Sequence, residues 1–305
     1  MNIRDLEYLV AVHDVSNFSR AAELCNVSQS TLSGQLKKLE GNLGASLIER
    51  STRRVLFTPM GESIVEYARG VLGGIKQIQT IARQSDDPMS GDFHFGLIPT
   101  VGPFLLPMFM PKLTGKYANT NLYLYELQAD KLIEKLLKGE LDAVILTKQD
   151  WTQPVIETPL YNEKLKLAVP SGHELAQAEA TVHANALEGR SMLMLEDGHC
   201  LRDHALDVCF NVGANEDHRF KATSMDTLLH MVSSGAGVSL IPEFACDSSK
   251  MGIDYLDLDN SVPSREIVML TRKKSARSVG LDTIASMIQS TVTDLQQKPL
   301  NSSLN

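Results

Sequence analysis

Apolar residues near the N-terminus recur at steps of three and four, the spacing that places them along one face of a helix. One such series occupies residues 3–13. A second follows Ser28, a suitable N-cap residue, and consists of Leu32, Leu36, Leu39 and Leu43. Between them, Ala21 and Ala22 precede a short turn, so that two helices can pack closely. This order of elements predicts a helix-turn-helix.

A third apolar series predicts a long helix that starts at Thr58 and Pro59, as N-cap and first-turn proline. Its members alternate in steps of four and three and are Ile64, Ala68, Val71, Ile75, Ile78 and Ala82. Gly73 and Gly74 interrupt the series. Together they destabilise the helix by about 1.5 to 2 kcal/mol relative to two alanines. The spacing is typical of a two-stranded coiled coil, which favours dimerisation through this helix. Packing against the rest of the same chain is the alternative.

From Phe93 the pattern changes to alternating strands and helices, which predicts an α/β domain with a mainly parallel sheet. The predicted strands are 93–98, 122–126, 142–147, 164–169, 192–195, 219–222, 238–241, 254–258 and 267–270. The predicted helices are 104–117, 129–137, 226–233 and 279–295.

Composition places the 305-residue chain among globular proteins of two or three domains, with 43% hydrophobic and 22% charged residues. Apolar runs are shorter than the roughly 20 residues that span a bilayer, and the N-terminus lacks the pattern of a signal peptide. We therefore expect a cytoplasmic protein with no membrane partner. No ligand pattern for a metal and no cofactor motif is evident. The net charge is −8, but residues 1–85 hold ten Lys plus Arg against eight Asp plus Glu, a net of +2.

That basic N-terminal segment carries polar residues suited to DNA. Short donors and acceptors near the start of the second helix can reach base edges in the major groove, and nearby cations can reach phosphates. The candidates are Gln29, Ser30, Thr31 and Ser33 for bases, and Lys37, Arg50, Arg53 and Arg54 for phosphates. The three arginines lie between short strand-like pieces, as in a basic wing beside the helix. A solvated helix face followed by a hairpin is the alternative for any one of them.

Cysteine chemistry is the second candidate activity. Cys200 follows Gly198 at the start of a predicted short helix, where unpaired N–H groups and the helix dipole favour a thiolate. Cys209 lies nine residues further on, about 13 Å along a helix, whereas a disulfide requires Cα atoms about 4.4 to 6.8 Å apart. Bonding of the pair would therefore require the helix to unwind. A buried, inert Cys209 is the alternative, and Cys25 and Cys246 are interpreted as incidental thiols.

The N-terminal motifs resemble the winged helix-turn-helix of LysR-type transcriptional regulators over residues 1–62. They are Ala21-Ala-Glu-Leu, Ser28-Gln-Ser-Thr-Leu-Ser-Gly-Gln-Leu-Lys-Lys-Leu-Glu, Leu43-Gly-Ala-Ser-Leu-Ile-Glu-Arg and Phe57-Thr-Pro-Met-Gly. The resemblance implies a mainly α winged helix-turn-helix domain (1–58), a linker and dimerisation helix with a hinge (59–89), and a two-lobed α/β, periplasmic-binding-protein-like effector domain (90–305). The lobes would be 90–163 with 268–298, and 164–267.

Two further segments, Gly96–Pro107 and Met194–Cys209, are similar to those of the peroxide-sensing members of that family. The resemblance implies that Cys200 is the peroxidatic thiol and Cys209 the resolving thiol. It places around them a peroxide-binding and thiolate-stabilising set, Thr100, His199, Arg202, Asp203 and Arg265. Ala129 differs from the threonine expected near the site, and no role is assigned to it.

The same resemblance implies a transcription activator of oxidative-stress genes that binds promoter DNA as a homodimer or homotetramer. Its other partners would be RNA polymerase and a thiol-disulfide reductant such as glutaredoxin. A LysR-type regulator that binds a small metabolite between its lobes, with inert cysteines, is the first alternative. A thiol peroxidase is the second, and the DNA-binding motifs argue against it.

Overall fold

The structure is a computed structural model of the chain. It describes residues 1–50, 55–83, 87–178, 181–246, 252–258 and 264–297. The chain divides into two compact units, residues 1–86 with 137–140, and residues 87–136 with 141–305. The predicted boundaries at 58/59 and 89/90 are finer than this division and stay predictions.

The first unit is built from four helices and a two-stranded antiparallel sheet. The helices are α1 (Ile3–Val15), α2 (Phe18–Leu24), α3 (Gln29–Leu43) and α4 (Pro59–Arg83), and the strands are β1 (Ile48–Arg50) and β2 (Val55–Phe57). This is the element order of the predicted winged helix-turn-helix, with β1 and β2 at the base of the wing.

Hydrogen bonds confirm both predicted helix N-caps. The Ser28 hydroxyl accepts from the Thr31 N–H at 3.1 Å at the start of α3, and the Thr58 hydroxyl accepts from the Gly61 N–H at 2.9 Å at the start of α4. Three of the four predicted leucines of α3 are buried, but Leu43 is 39% exposed. Leu43 is the last residue of α3, so the buried part of the predicted apolar face ends one turn earlier, at Leu39.

The α4 helix continues through Gly73 and Gly74 to Arg83. Its length and start agree with the predicted linker helix. Several large apolar side chains along the described part of α4 are exposed, namely Tyr67, Val71 and Ile78. Their exposure within the single chain is what a helix that pairs with a second copy would show.

The second unit alternates strands and helices. The strands are β3 (Gly91–Leu97), β4 (Thr120–Glu126), β5 (Ala143–Thr147), β6 (Val155–Pro170), β7 (Thr181–Val182), β8 (Ser191–Leu195), β9 (Asn215–Ala222), β10 (Ser239–Pro242), β11 (Ile253–Leu258) and β12 (Ser264–Arg272). The helices are α5 (Gly102–Lys116), α6 (Ala129–Leu137), α7 (Glu174–Ala178), α8 (Cys200–Val212), α9 (Met225–Ser233) and α10 (Ser278–Gln296), with short 3-10 turns at Ala184–Leu187 and Glu243–Ala245.

Eight strands form one sheet in the order β4-β3-β5-β12-β6-β11-β7, with β10 also paired to β6. Pairing is parallel from β4 through β3 to β5 and between β11 and β7. It is antiparallel between β5 and β12, between β12 and β6, and where β10 and β11 pair with β6. The prediction of a mainly parallel sheet was therefore wrong for this sheet. Local periodicity shows which residues form strands, but it does not determine strand direction, which depends on distant pairing partners.

Two long strands run through the predicted lobe boundaries. Residues 163 and 164 both lie on β6, and residues 267 and 268 both lie on β12. The predicted lobe bounds therefore fall inside paired strands, and they stay predictions. In the described part of the chain, no helix combines the length and the apolar character that crossing a membrane requires.

Candidate functional site

Cys200 is the first residue of α8, as predicted, and its side chain is buried. The chain arrives from β8 through a turn in which Gly198 has a φ of +91°. A side chain there would be strained, and its Cβ would lie 2.9 Å from the Gln128 amide nitrogen. The glycine thus lets the chain turn closely enough to place Cys200 at the helix start.

The thiol lies against polar groups that are distant in sequence. The Gln149 side-chain amide donates a hydrogen bond to the Cys200 Sγ at 3.4 Å. Burial raises the pKa of the Cys200 thiol, and the charge of Asp203 raises it further, while the charge of Arg265 and the backbone N–H of Cys200 oppose the increase. The prediction of a lowered pKa is wrong for this conformation because desolvation outweighs the favourable helix-start position.

Arg265 is the fixed cation of the site. Its guanidinium is fully buried and pairs with Glu163 Oε2 through Nε at 2.8 Å and through Nη2 at 2.7 Å. It also donates to the Thr100 hydroxyl at 2.9 Å and to the Thr100 carbonyl at 2.8 Å. Because the Thr100 oxygen accepts from Arg265, its own proton remains to be donated elsewhere. The structure therefore brings together three of the predicted residues, Thr100, Cys200 and Arg265.

Arg202 and Asp203 were predicted to belong to the polar surroundings of Cys200. Arg202 forms a two-pronged ion pair with Glu216, at 2.5 and 2.8 Å, and its Nε lies 3.0 Å from an oxygen of Asp197. These bonds connect the start of α8 to β9 and give Arg202 a structural role. Asp203 is exposed, and its charge raises the pKa of Cys200. That effect opposes a thiolate-stabilising role for Asp203, and its predicted part in peroxide binding stays a prediction.

His199 immediately precedes Cys200 and is buried. Its carbonyl oxygen accepts from the Arg202 N–H at 2.8 Å, in the first turn of the helix. Its predicted place in the peroxide-binding and thiolate-stabilising set stays a prediction.

Sequence reasoning missed His204, one helical turn after Cys200 and therefore on the same side of α8. Its Nε2 is buried, and it has no hydrogen-bond partner among the described residues. Burial and the charge of Arg265 lower the pKa of its imidazole, which favours the neutral form. The four-residue spacing from Cys200 was the available signal. No local pattern pointed to Gln149 or Glu163, which reach the site from elsewhere in the chain.

Cys209 lies within the same helix as Cys200. Nine residues of regular α-helix separate their Cα atoms by about 13 Å, beyond the reach of a disulfide. The two other cysteines have raised pKa values: burial and then the charge of Glu7 raise that of Cys25, and burial raises that of Cys246 to about 12. Burial raises the pKa of Cys200 as well, so the interpretation of Cys25 and Cys246 as incidental thiols stays a prediction.

The candidate DNA-binding face lies on α3. Gln29, Ser30, Thr31 and Lys37 are exposed, and Ser33 is partly buried. The Ser28 hydroxyl forms hydrogen bonds with the hydroxyls of Ser30, at 2.9 Å, and Thr31, at 2.8 Å. The start of the helix therefore holds an ordered polar surface. Arg50 ends β1, whereas Arg53 and Arg54 lie outside the described residues.

Comparison with known families matches both parts of the chain. Residues 3–62 match the bacterial regulatory helix-turn-helix protein, lysR family, and residues 86–292 match the LysR substrate binding domain. The chain belongs to the LysR family. This supports the predicted architecture of a winged helix-turn-helix followed by a two-lobed, periplasmic-binding-protein-like domain.

Several LysR-family proteins are similar over nearly the whole chain. A hydrogen peroxide-inducible genes activator from Haemophilus influenzae is 44% identical, covering 97% of this chain and 98% of that protein. The DNA-binding transcriptional dual regulator OxyR from Escherichia coli is 44% identical, covering 95% of each chain. A full-length OxyR variant from Pseudomonas aeruginosa has a TM-score of 0.77 and 32% identity, covering 95% of each chain.

Proposed function

We propose that the chain is a DNA-binding transcription activator that senses hydrogen peroxide through Cys200. The observation that carries the proposal is the buried Cys200 thiol at a helix start, where the charge of Arg265 acts on it. The chain belongs to the LysR family, and a similar protein is named as a hydrogen peroxide-inducible genes activator. A buried thiol beside hydrogen-bonding groups suits a small polar oxidant better than a bulky metabolite. We place the protein in the cytoplasm, where reducing conditions reset such a thiol.

The proposed reaction begins with attack of the Cys200 sulfur on one peroxide oxygen. The S–O bond forms as the O–O bond breaks, and the leaving hydroxide, with the proton from the thiol, becomes water. The Thr100 proton is available to the bound peroxide, and the Arg265 charge stabilises the negative charge that develops. Because burial raises the pKa of the thiol, attack draws on a small thiolate fraction, which Arg265 increases.

Cys209 is the proposed resolving thiol. Its sulfur attacks the Cys200 sulfenic acid, the S–S bond forms, and water leaves. Since both residues lie on α8, their Cα atoms must approach by about 6 Å or more before this bond can close. Oxidation therefore unwinds α8 and disrupts its packing, which includes the buried side chains of Leu201 and Ala205. That change is the proposed signal.

One experiment tests the proposal and its conformational step together. After one equivalent of peroxide, mass spectrometry should show the loss of two hydrogens, mapped to peptides that contain Cys200 and Cys209. Hydrogen exchange on the same sample should show reduced amide protection between Leu201 and Phe210, because α8 has unwound. A mapped disulfide with unchanged protection would contradict the unwinding. Absence of the disulfide would favour the metabolite-binding alternative.

We propose that the α3 helix contacts the bases of the operator DNA. Its exposed N-terminal residues suit base edges, and Lys37 suits a phosphate. We propose that α4 pairs two chains, that two such dimers form a tetramer, and that the assembly contacts RNA polymerase. A thiol-disulfide reductant such as glutaredoxin would restore the thiols.

Two substitutions in α3 should have different effects on DNA binding. Gln29→Ala is expected to relax base preference, at about 1 to 3 kcal/mol if a two-pronged base contact is lost. Lys37→Ala should weaken binding to all sequences and reduce the slope of log affinity against log salt by about one. Titrations of operator and scrambled DNA at several salt concentrations measure both. An unchanged salt slope for Lys37→Ala would remove the phosphate assignment.

A further inference from the structure

Thr147 is a buried polar residue that the proposed mechanism does not use. It is the last residue of β5, its side chain is 1% exposed, and its hydroxyl has no hydrogen-bond partner among the described residues. An unbonded hydroxyl in an apolar core destabilises a fold, whereas valine has the same shape without that cost. The buried Thr147 hydroxyl, 1% exposed, therefore suggests a hydrogen-bond partner that is not part of the protein chain.

Strand register shows which way this side chain points. Thr147 lies opposite Ile267 on β12, and opposed residues project to the same face of a sheet. Because side chains alternate along a strand, Arg265 lies on that face, two residues from Ile267. The Lys148 N–H donates to the Glu266 carbonyl at 2.8 Å, so the pairing continues and Gln149 comes opposite Arg265.

Gln149 connects this face to the thiol. It is two residues beyond Thr147, about 7 Å along the strand and on the same side, and its amide contacts the Cys200 Sγ. On the other flank of β5, the Ile98 N–H donates to the Ile145 carbonyl at 3.2 Å. The chain then turns into Thr100, which Arg265 holds. Thr147 thus ends a strand between the segment that carries Thr100 and the strand that carries Arg265.

We propose that the Thr147 hydroxyl is a peroxide-positioning group of the Cys200 site. Hydrogen peroxide carries two donors and several acceptor lone pairs, and a hydroxyl supplies one donor and acceptor positions in return. Thr147 donates to the oxygen that leaves and accepts from the peroxide, while the Cys200 sulfur attacks the other oxygen. The S–O bond forms, the O–O bond breaks, and the thiol proton leaves with the hydroxide as water. This inference rests on the proposed peroxide reaction.

The test compares Thr147→Val with Thr147→Ser in the full-length chain. Loss of the free Cys200 thiol is followed by mass spectrometry after quenching, once with peroxide and once with iodoacetamide. Thr147→Val should slow the peroxide reaction by about three- to tenfold, the loss expected for one hydrogen bond. The alkylation rate should stay within about twofold, because the thiol itself is unchanged. Thr147→Ser should recover the peroxide rate.

A matched control is Thr291→Val on α10, which removes another buried hydroxyl without a partner among the described residues. It should leave both rates unchanged. Equal peroxide rates in Thr147→Val and the unaltered chain would overturn the inference, as would a parallel fall in alkylation, which indicates a structural effect. If the unaltered chain does not react with peroxide, the proposed function itself fails.

Discussion

Cys200→Ser is expected to abolish the peroxide response, because serine cannot be oxidised to a sulfenic acid and its hydroxyl is a poor nucleophile at neutral pH. The operator complex of this variant should be the same with and without peroxide. Cys209→Ser retains the attacking sulfur but not the resolving one. It should accumulate a sulfenic acid on Cys200 that a sulfenic-selective probe traps.

Cys246→Ser is the matched control for these variants. Cys246 is partly buried, its Sγ donates to the Pro242 carbonyl, and burial raises its pKa to about 12. Its removal should leave disulfide formation and DNA response intact. Footprinting and probe labelling, before and after peroxide, measure all three variants. Equal labelling of Cys200→Ser and Cys209→Ser would overturn the division of roles between the two cysteines.

Arg265→Met is expected to destabilise the fold strongly. It leaves Glu163 buried at 2% exposure without its cation, and breaking a buried ion pair in this way costs about 3 to 5 kcal/mol. The unfolding midpoint in urea should fall accordingly. The double variant Arg265→Met with Glu163→Met should recover much of the loss, because it removes the unpaired charge as well.

Arg219→Met provides the exposed comparison. Arg219 pairs with Asp217 at 2.7 Å, but its side chain is 83% exposed, so its loss should change the free energy of unfolding far less than the loss of the buried pair. Equal destabilisation by Arg219→Met and Arg265→Met would contradict the assigned difference in burial.

The same Arg265 variants report on the thiol. Arg265 lowers the pKa of Cys200 against the effect of burial. Removing its positive charge disfavours the thiolate, raises the pKa further and reduces the thiolate fraction at a given pH. The double variant, which is the better folded, should therefore alkylate more slowly at pH 7, and its rate should reach half-maximum at a higher pH. A shift to lower pH would contradict the role of Arg265 as the stabilising charge.

The sequence alone determined the helix-turn-helix, the two helix N-caps and most strand positions. These features depend on local rules: apolar spacing marks the buried face, and Ser28 and Thr58 satisfy N–H groups within the following turn. The position of Cys200 at the start of α8 also followed from local pattern, because Gly198 ends the preceding segment. The DNA-binding and peroxide-sensing roles came from motifs and their resemblance to a family.

Tertiary structure alone decided the sheet directions and the electrostatics of the site. A helix-start position predicted a lowered pKa for Cys200, yet burial reverses the direction, and burial depends on the whole fold. Arg202 forms an ion pair with Glu216. Gln149, 51 residues from Cys200 in the sequence, donates a hydrogen bond to its thiol. Spacing along a chain specifies which residues share a helix face. Spacing does not specify which distant charge or hydroxyl will contact that face, because the packing of the whole fold determines this.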